Sequence, residues 1–157
     1  MIKFGEKYKN DNMPYILNIN DNIDNVLKII VSLPYSGEKG SEASNTGNKD
    51  LDEILKEAYP ILINYNEIYE ITFESYIMYQ TRNESFAYPD ENSNVLGEYF
   101  TIIKNSSYLK MVENITFYYD MFGDKYTHYG ILSWNHVVDI ISAEKPKIVK
   151  LENYAEE

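Results

Sequence analysis
Residues 69–82 read Tyr69-Glu-Ile-Thr-Phe-Glu-Ser-Tyr-Ile-Met-Tyr-Gln-Thr-Arg82. Side chains alternate across a strand with a period of two. That period places Tyr69, Ile71, Phe73, Ser75, Ile77 and Tyr79 on one face. Glu70, Thr72, Glu74, Tyr76, Met78, Gln80 and Arg82 fall on the other. One apolar face and one mixed face predict a long strand in an antiparallel sheet with a solvated side. Ile71, Phe73 and Ile77 are then expected in the core, with Glu70 and Glu74 facing solvent.

Downstream, residues 85–97 form a loop around Pro89 and residues 99–104 a further strand. Ser106 or Ser107 offers a cap for a short helix carrying Tyr108, Leu109, Met111 and Val112. Ile115 to Met121 and Tyr126 to Trp134 read as two strands flanking Phe122-Gly-Asp-Lys125, and Gly-Asp is a type II′ hairpin signal. Residues 137–142 give another strand. Lys145-Pro146 breaks it, and Ile148 to Leu151 form a last strand, placed at an edge by the nearby proline.

Upstream, residues 13–19 read as a strand. Asn20 or Asp21 then caps a helix through Ile23, Val26, Leu27 and Ile30, ended by Pro34. Residues 36–49 contain Gly37, Gly40 and Gly47 and no large apolar side chain, which predicts a mobile loop. Asp50 caps a second helix with Leu51, Ile54, Leu55 and Ala58 on one face. There is no internal repeat and no interdomain linker. The expected fold is α+β: a single domain over residues 1–157, its N-terminal helices packed on a mostly antiparallel sheet or meander. Residues 152–157 are expected to be a frayed tail.

The chain has 157 residues, 44% hydrophobic and 25% charged, enough to close one core. It has no cysteine, which excludes disulfides, thiolate zinc sites and cysteine nucleophiles. No apolar stretch approaches the roughly 20 residues of a membrane span, and the N-terminus lacks a signal-peptide pattern. The expected location is cytoplasmic. The formal net charge is −11. Such a chain repels nucleic acid phosphates and anionic membrane surfaces, so the partner it suits is a basic protein. Residues 67–98 hold seven carboxylates against Arg82 alone, a local net of −6.

The phosphate-cradling glycine loops, H-E-x-x-H and G-x-S-x-G are absent. Asn18, Asn20 and Asn22 resemble the start of a calcium loop, but Ile23 and Ile29 stand where glycine and glutamate are required. His128 and His136 are the two histidines, with Asp139 three residues beyond His136. An odd separation on a strand puts His136 and Asp139 on opposite faces, against a metal site unless Trp134-Asn135-His136 is a turn. No metal and no cofactor are expected.

Arg82 is the only arginine beside thirteen lysines. A guanidinium grips carboxylates better than an ammonium, so Arg82 is expected to be held by Glu84 or a strand neighbour. The candidate binding residues are Glu70, Glu74, Tyr76, Arg82, Glu84, Trp134 and His136. The carboxylates among them are also read as an ordinary solvated face, and Trp134 as core.

Residues 68–151 resemble a group of small uncharacterised cytosolic proteins of low-GC Gram-positive bacteria. The likeness is carried by Ile71-Thr-Phe-Glu-Ser-Tyr-Ile-Met-Tyr79, Arg82-Asn-Glu-Ser85, Lys104-Asn-Ser-Ser-Tyr-Leu109, His128-Tyr-Gly-Ile131, Asn135-His-Val-Val-Asp-Ile-Ile-Ser142 and Pro146. The resemblance implies a bacterial cytosol and, through similar acidic proteins encoded beside toxins, an immunity-like role. It implies no catalytic residue.

Three functional readings follow. The first is a non-enzymatic acidic module, of immunity or inhibitor type, that covers a basic partner. The second is a small enzyme with a site among Tyr79, Arg82, Glu84, His128 or His136. The third is a small-molecule-binding module with an aromatic pocket on the sheet, using Tyr76, Tyr99 and Trp134. A deep pocket with convergent polar groups favours the second and third, and a flat acidic face the first.

Overall fold
The computed structural model describes residues 2–8, 12–41, 45–123, 125–152 and 154. The strands are β1 (Tyr15–Asp21), β2 (Leu27–Ser32), β3 (Tyr35–Ser36), β4 (Ile61–Leu62), β5 (Ile68–Phe73), β6 (Tyr76–Asn83), β7 (Asn94–Leu96), β8 (Phe100–Lys104), β9 (Thr127–Leu132), β10 (His136–Ser142) and β11 (Lys147–Leu151). The helices are α1 (Lys49–Glu57), α2 (Ser107–Ile115) and α3 (Tyr118–Phe122), with one 3-10 turn at Glu84–Phe86. The chain is thus a mixed α and β protein with antiparallel sheets.

Two sheets carry the fold. One has the order β1-β2-β5-β11 and the other β6-β10-β9-β8-β7, while β3 and β4 pair separately. The buried cluster draws Ile16, Leu27, Ile29, Val31, Ile71 and Phe73 from the first sheet. Phe100, Tyr129, Ile131, Val138 and Ile140 come from the second, so the two sheets pack face to face. Phe4 sits between them, with ring centroids 5.7 Å from Phe100, 5.2 Å from Tyr129 and 6.2 Å from Phe73.

The run 69–82 is not one strand. It breaks at Glu74-Ser75, and β5 and β6 belong to different sheets. Ile71 and Phe73 are buried as expected. Ile77 is half-buried and lies at a register shift opposite Ile141 and Ser142. It lines a crevice with Leu109 and Val112 of α2, on the side away from the shared core. The alternation holds along β5 and over residues 78–82, but the bulge at Ile77, inside β6, resets it, and Tyr76 packs against the core with Tyr79.

Two further expectations are corrected. Residues 23–30 are a turn and the start of β2, not a helix. Asn22 Oδ1 accepts from the backbone N–H of Asp24 and Val26 at 3.0 Å each, and Asn25 takes a φ of 56°. Asparagine tolerates that left-handed conformation because its short side chain bonds locally. Leu27, Ile29 and Val31 are buried and Ile23 is 97% exposed, so the β-branched alternation outweighed the helical spacing. Residues 115–121 are the end of α2 and part of α3, not a hairpin strand. The hairpin partner of β9 is β10, closed by residues 133–135.

The expected packing of N-terminal helices on the sheet is also not found. Helix α1 is capped by Asn48, whose Oδ1 accepts from Asp50 and Leu51, and it contributes no buried residue. Residues 37–41 and 45–48 lack regular structure. That loop is nevertheless tied back, Gly37 N–H donating to Pro60 O at 2.7 Å and Gly40 N–H to Ala58 O at 2.8 Å. Residues 42–44, and most of the expected tail, lie outside the described residues. β11 is an edge strand, as its proline indicated. No helix among the described residues is long and apolar enough to cross a membrane.

Candidate functional site
The second sheet has a face turned away from the core, and its register assembles the site. Across β6, β10, β9 and β8, Gln80 stands opposite Asp139, Asp139 opposite Gly130, and Gly130 opposite Thr101. The next rung on the same face holds Met78, Ile141, His128 and Ile103, and the rung on the other side holds Arg82, Val137 and Leu132. His128 and Asp139 are therefore diagonal neighbours across a ladder.

These side chains form one hydrogen-bonded line. Ser106 Oγ lies 2.7 Å from His128 Nδ1, and His128 Nε2 lies 3.0 Å from Asp139 Oδ1. Asp139 Oδ2 accepts from Gln80 Nε2 at 3.0 Å and from Arg82 Nη2 at 2.9 Å. Ser106 and His128 are each 2% exposed and Asp139 4%. Burial pushes the Asp139 carboxyl upward. Hydrogen bonds from His128 and Gln80, with the positive charge of Arg82, outweigh this and hold it below its ordinary range.

Glycine at 130 is required by close approach. A Cβ there would meet Thr101 Oγ1 at 2.4 Å and Ile103 Cδ1 at 2.9 Å. Its absence lets the Thr101 hydroxyl lie over the strand, donating to Gly130 O at 3.3 Å.

Above this floor is a cavity of about 710 Å³. Tyr88, Val95, Ile103, Met111, Leu132 and Val137 give it apolar wall, and Asp90, Glu91 and Glu98 also line it. Two segments roof it: residues 87–98 and the start of α2. They are joined by Asp90 Oδ2, which accepts from the Ser107 N–H at 2.5 Å, a carboxylate at a helix N-terminus. The Tyr108 ring lies tilted at 59° against that of His128, with centroids 5.4 Å apart. The Tyr108 hydroxyl and Arg82 Nε are buried and have no hydrogen-bond partner among the described residues.

Ser106, His128 and Asp139 have the chemical order of a nucleophile, base and orienting acid. Two contacts argue against nucleophilic use. Ser106 Oγ already accepts from the Leu109 N–H at 3.0 Å as the cap of α2, and the side chain is buried. The Ser107 N–H, the nearest backbone donor for an oxyanion, is engaged by Asp90. The line forms a buried polar floor beneath the cavity. Among the described residues no group of three or more His, Asp or Glu is placed to hold a metal.

Of the seven candidate binding residues only Arg82 lines this cavity, and of the residues named for an enzyme site His128 lines it as well. The carboxylate partner of Arg82 is Asp139 on the neighbouring strand rather than Glu84, and the grip uses one nitrogen. Glu70 pairs with Lys28 at 3.2 Å on the first sheet, and Glu74, just past the end of β5, pairs with Lys147 of β11 at 2.6 Å. Glu67 pairs with Lys150 at 2.5 Å. The acidic field expected over residues 67–98 is therefore partly cancelled in its first third. Tyr76 donates to Asp21 Oδ2 at 2.7 Å, and burial with that carboxylate pushes its phenol up to about 12. Tyr76 and Tyr99 pack against the shared core, not in the cavity.

Glu84 lies at the 3-10 turn, its N–H donating to Asn135 O at 3.4 Å. Residues 133–135 form the turn and His136 is the first residue of β10; Trp134 is exposed, and His136 Nδ1 is buried with no hydrogen-bond partner among the described residues. Asn135 holds β1: its Nδ2 donates to Ile16 O at 2.7 Å and its Oδ1 accepts from Ile16 N at 3.1 Å.

Sequence reasoning missed Ser106 as a partner of His128, and Asp139 as the hub. The signal was present. With a turn at 133–135, residues pair across β9 and β10 so that His128 and Asp139 share a face. Comparison with protein-family models, curated protein sequences and solved structures finds no match to this chain.

Proposed function
We propose that this protein is a small-molecule-binding module whose ligand occupies the cavity on the outer face of the five-stranded sheet. The observation that carries this reading is the cavity itself, with a satisfied polar floor at Asp139 and two buried donors that have no partner among the described residues. Ligand sites are concave and largely apolar, with a few fixed polar groups and a volume of about 300–1,000 Å³. Here rigid strands supply the polar groups, and the roof comes from a loop and a helix start.

The test is uptake of a neutral solvatochromic dye, Nile red, by wild-type protein and by Met111→Trp. Met111 is partly exposed on α2, so the larger ring fills the cavity without burdening the core. Saturable uptake by wild type that is lost in Met111→Trp is the expected result. Equal uptake by both variants would refute the assignment.

A second reading, an acidic module of immunity or inhibitor type for a basic partner, is supported by the segment 84–98. Phe86 and Tyr88 are exposed in it, and Glu84, Glu91 and Glu98 make no ion pair among the described residues. Aromatic anchors beside unpaired charge are what such contacts use. Reversing the three glutamates to lysine should abolish a salt-sensitive complex with a basic protein. Binding indifferent to both changes would dismiss this reading.

A further inference from the structure
The chemistry of the cavity walls constrains the ligand class, on the reading that the cavity is a ligand site. The guanidinium of Arg82 already has its counter-charge in Asp139, 2.9 Å away. Both Asp139 oxygens are engaged, one by His128 and the other by Gln80 and Arg82. What remains is a pair of donors, the Arg82 Nε–H and the Tyr108 hydroxyl, both buried and without a hydrogen-bond partner among the described residues. Burial and the nearby Asp139 carboxylate push the Tyr108 phenol upward, so it keeps its proton and can donate. An unpaired buried donor is costly, and an acceptor oxygen removes that cost.

The charge surrounding these donors selects among acceptors. An anionic ligand near Arg82 would lie beside Asp139, whose carboxylate is fixed in place. It would also enter past Asp90, Glu91 and Glu98, which line the same cavity and make no ion pair among the described residues. Like charges repel, most at the buried Asp139 and least at Glu91 and Glu98, which solvent screens. A neutral carbonyl escapes both effects. We propose that the cavity selects an uncharged, carbonyl-bearing molecule with an apolar body, whose acceptor oxygens take the hydrogens of Arg82 Nε and the Tyr108 hydroxyl. Carboxylate and phosphate analogues of the same shape are rejected.

A matched pair of probes tests this: indole-3-acetamide and indole-3-acetate, which differ in charge and little in shape. Affinity is read by calorimetry, and position by amide NMR shifts at Thr101, Gly130 and Asp139. The amide should bind about tenfold or more tighter than the carboxylate. Tyr108→Phe, which keeps the ring and removes one donor, should weaken the amide by about two- to tenfold. Asp139→Asn, which frees the Arg82 charge, should narrow or invert the preference. Equal or tighter binding of indole-3-acetate by wild type overturns the proposal, as does a Tyr108→Phe variant with unchanged amide affinity. Nile red separates the two levels. Uptake of the dye without binding of either indole compound overturns the carbonyl class and leaves the cavity reading standing. Failure of the dye as well overturns both.

Discussion

Asp139→Asn keeps the size of the side chain and one carbonyl oxygen while removing its charge. In the folded protein this carboxylate receives hydrogen bonds from His128, Gln80 and Arg82. Hydrogen bonds to a charged group contribute about 1.5–3 kcal/mol and neutral ones about 0.5–1.5 kcal/mol, so each contact loses about 1 kcal/mol. The Arg82 contact belongs at the low end, because that side chain is 39% exposed and its charge is screened. His128 can adapt by moving its proton to Nδ1, with Ser106 Oγ as acceptor. The expected loss is about 2–3 kcal/mol at neutral pH. The dependence on pH is more diagnostic. Asp139 titrates below its ordinary value of 3.8 in the folded state. Its stabilisation is full above the unfolded-state value of about 3.9 and is lost as pH falls through the lower folded value. Urea unfolding followed by circular dichroism should show a constant gap between wild type and Asp139→Asn down to about pH 5, narrowing below about pH 4. A gap that is absent at neutral pH, or that survives undiminished in acid, would refute the account of Asp139 as the charged hub.

Phe73→Ala should cost about 3–5 kcal/mol in chemical denaturation, since its ring is 1% exposed and lies between the sheets. Ile77→Ala should cost distinctly less, and equal losses would contradict the break between β5 and β6. Gly130→Ala should destabilise by about 1–3 kcal/mol, because the new methyl meets Thr101 Oγ1 and Ile103 on a rigid strand. A neutral melting temperature would show that the cavity floor is looser than described. Ser106→Ala should lose about 0.5–2 kcal/mol as the cap of α2 disappears. Wild-type protein should also resist labelling by a fluorophosphonate probe, and stoichiometric labelling of Ser106 would restore the nucleophile reading.

The sequence carried the elements whose signals were local. Ser106 announced the start of α2 because a hydroxyl accepting from the Leu109 N–H is a one-turn interaction. Residues 137–142 and 148–151 were legible because β-branched runs bounded by a proline have few other uses. Errors arose where two periods fit the same residues. Ile23, Val26, Leu27 and Ile30 match a helix, yet Leu27, Ile29 and Val31 match a strand, and only the face of a second sheet decides between them. The site was hidden for a related reason. Asp139 was weighed against His136, its neighbour in sequence, whereas its partners His128, Gln80 and Arg82 arrive from two other strands. Naming them required the register, and the register required the turn at 133–135, which was displaced to Gly123-Asp124.

The side chain of Asn135 has a consequence for how this protein avoids meeting itself. β1 is the outer strand of its sheet, and an outer strand presents main-chain groups that another chain can pair with. At Ile16 both groups are already taken, the N–H by Asn135 Oδ1 and the C=O by Asn135 Nδ2. The Trp134 N–H does the same for Pro14 O at 3.0 Å. A primary amide has the same donor and acceptor as a peptide unit, so Asn135 stands in for one residue of a neighbouring strand. The turn between β9 and β10 thereby covers part of one border of the other sheet, at Pro14 and Ile16, where an added strand would otherwise pair.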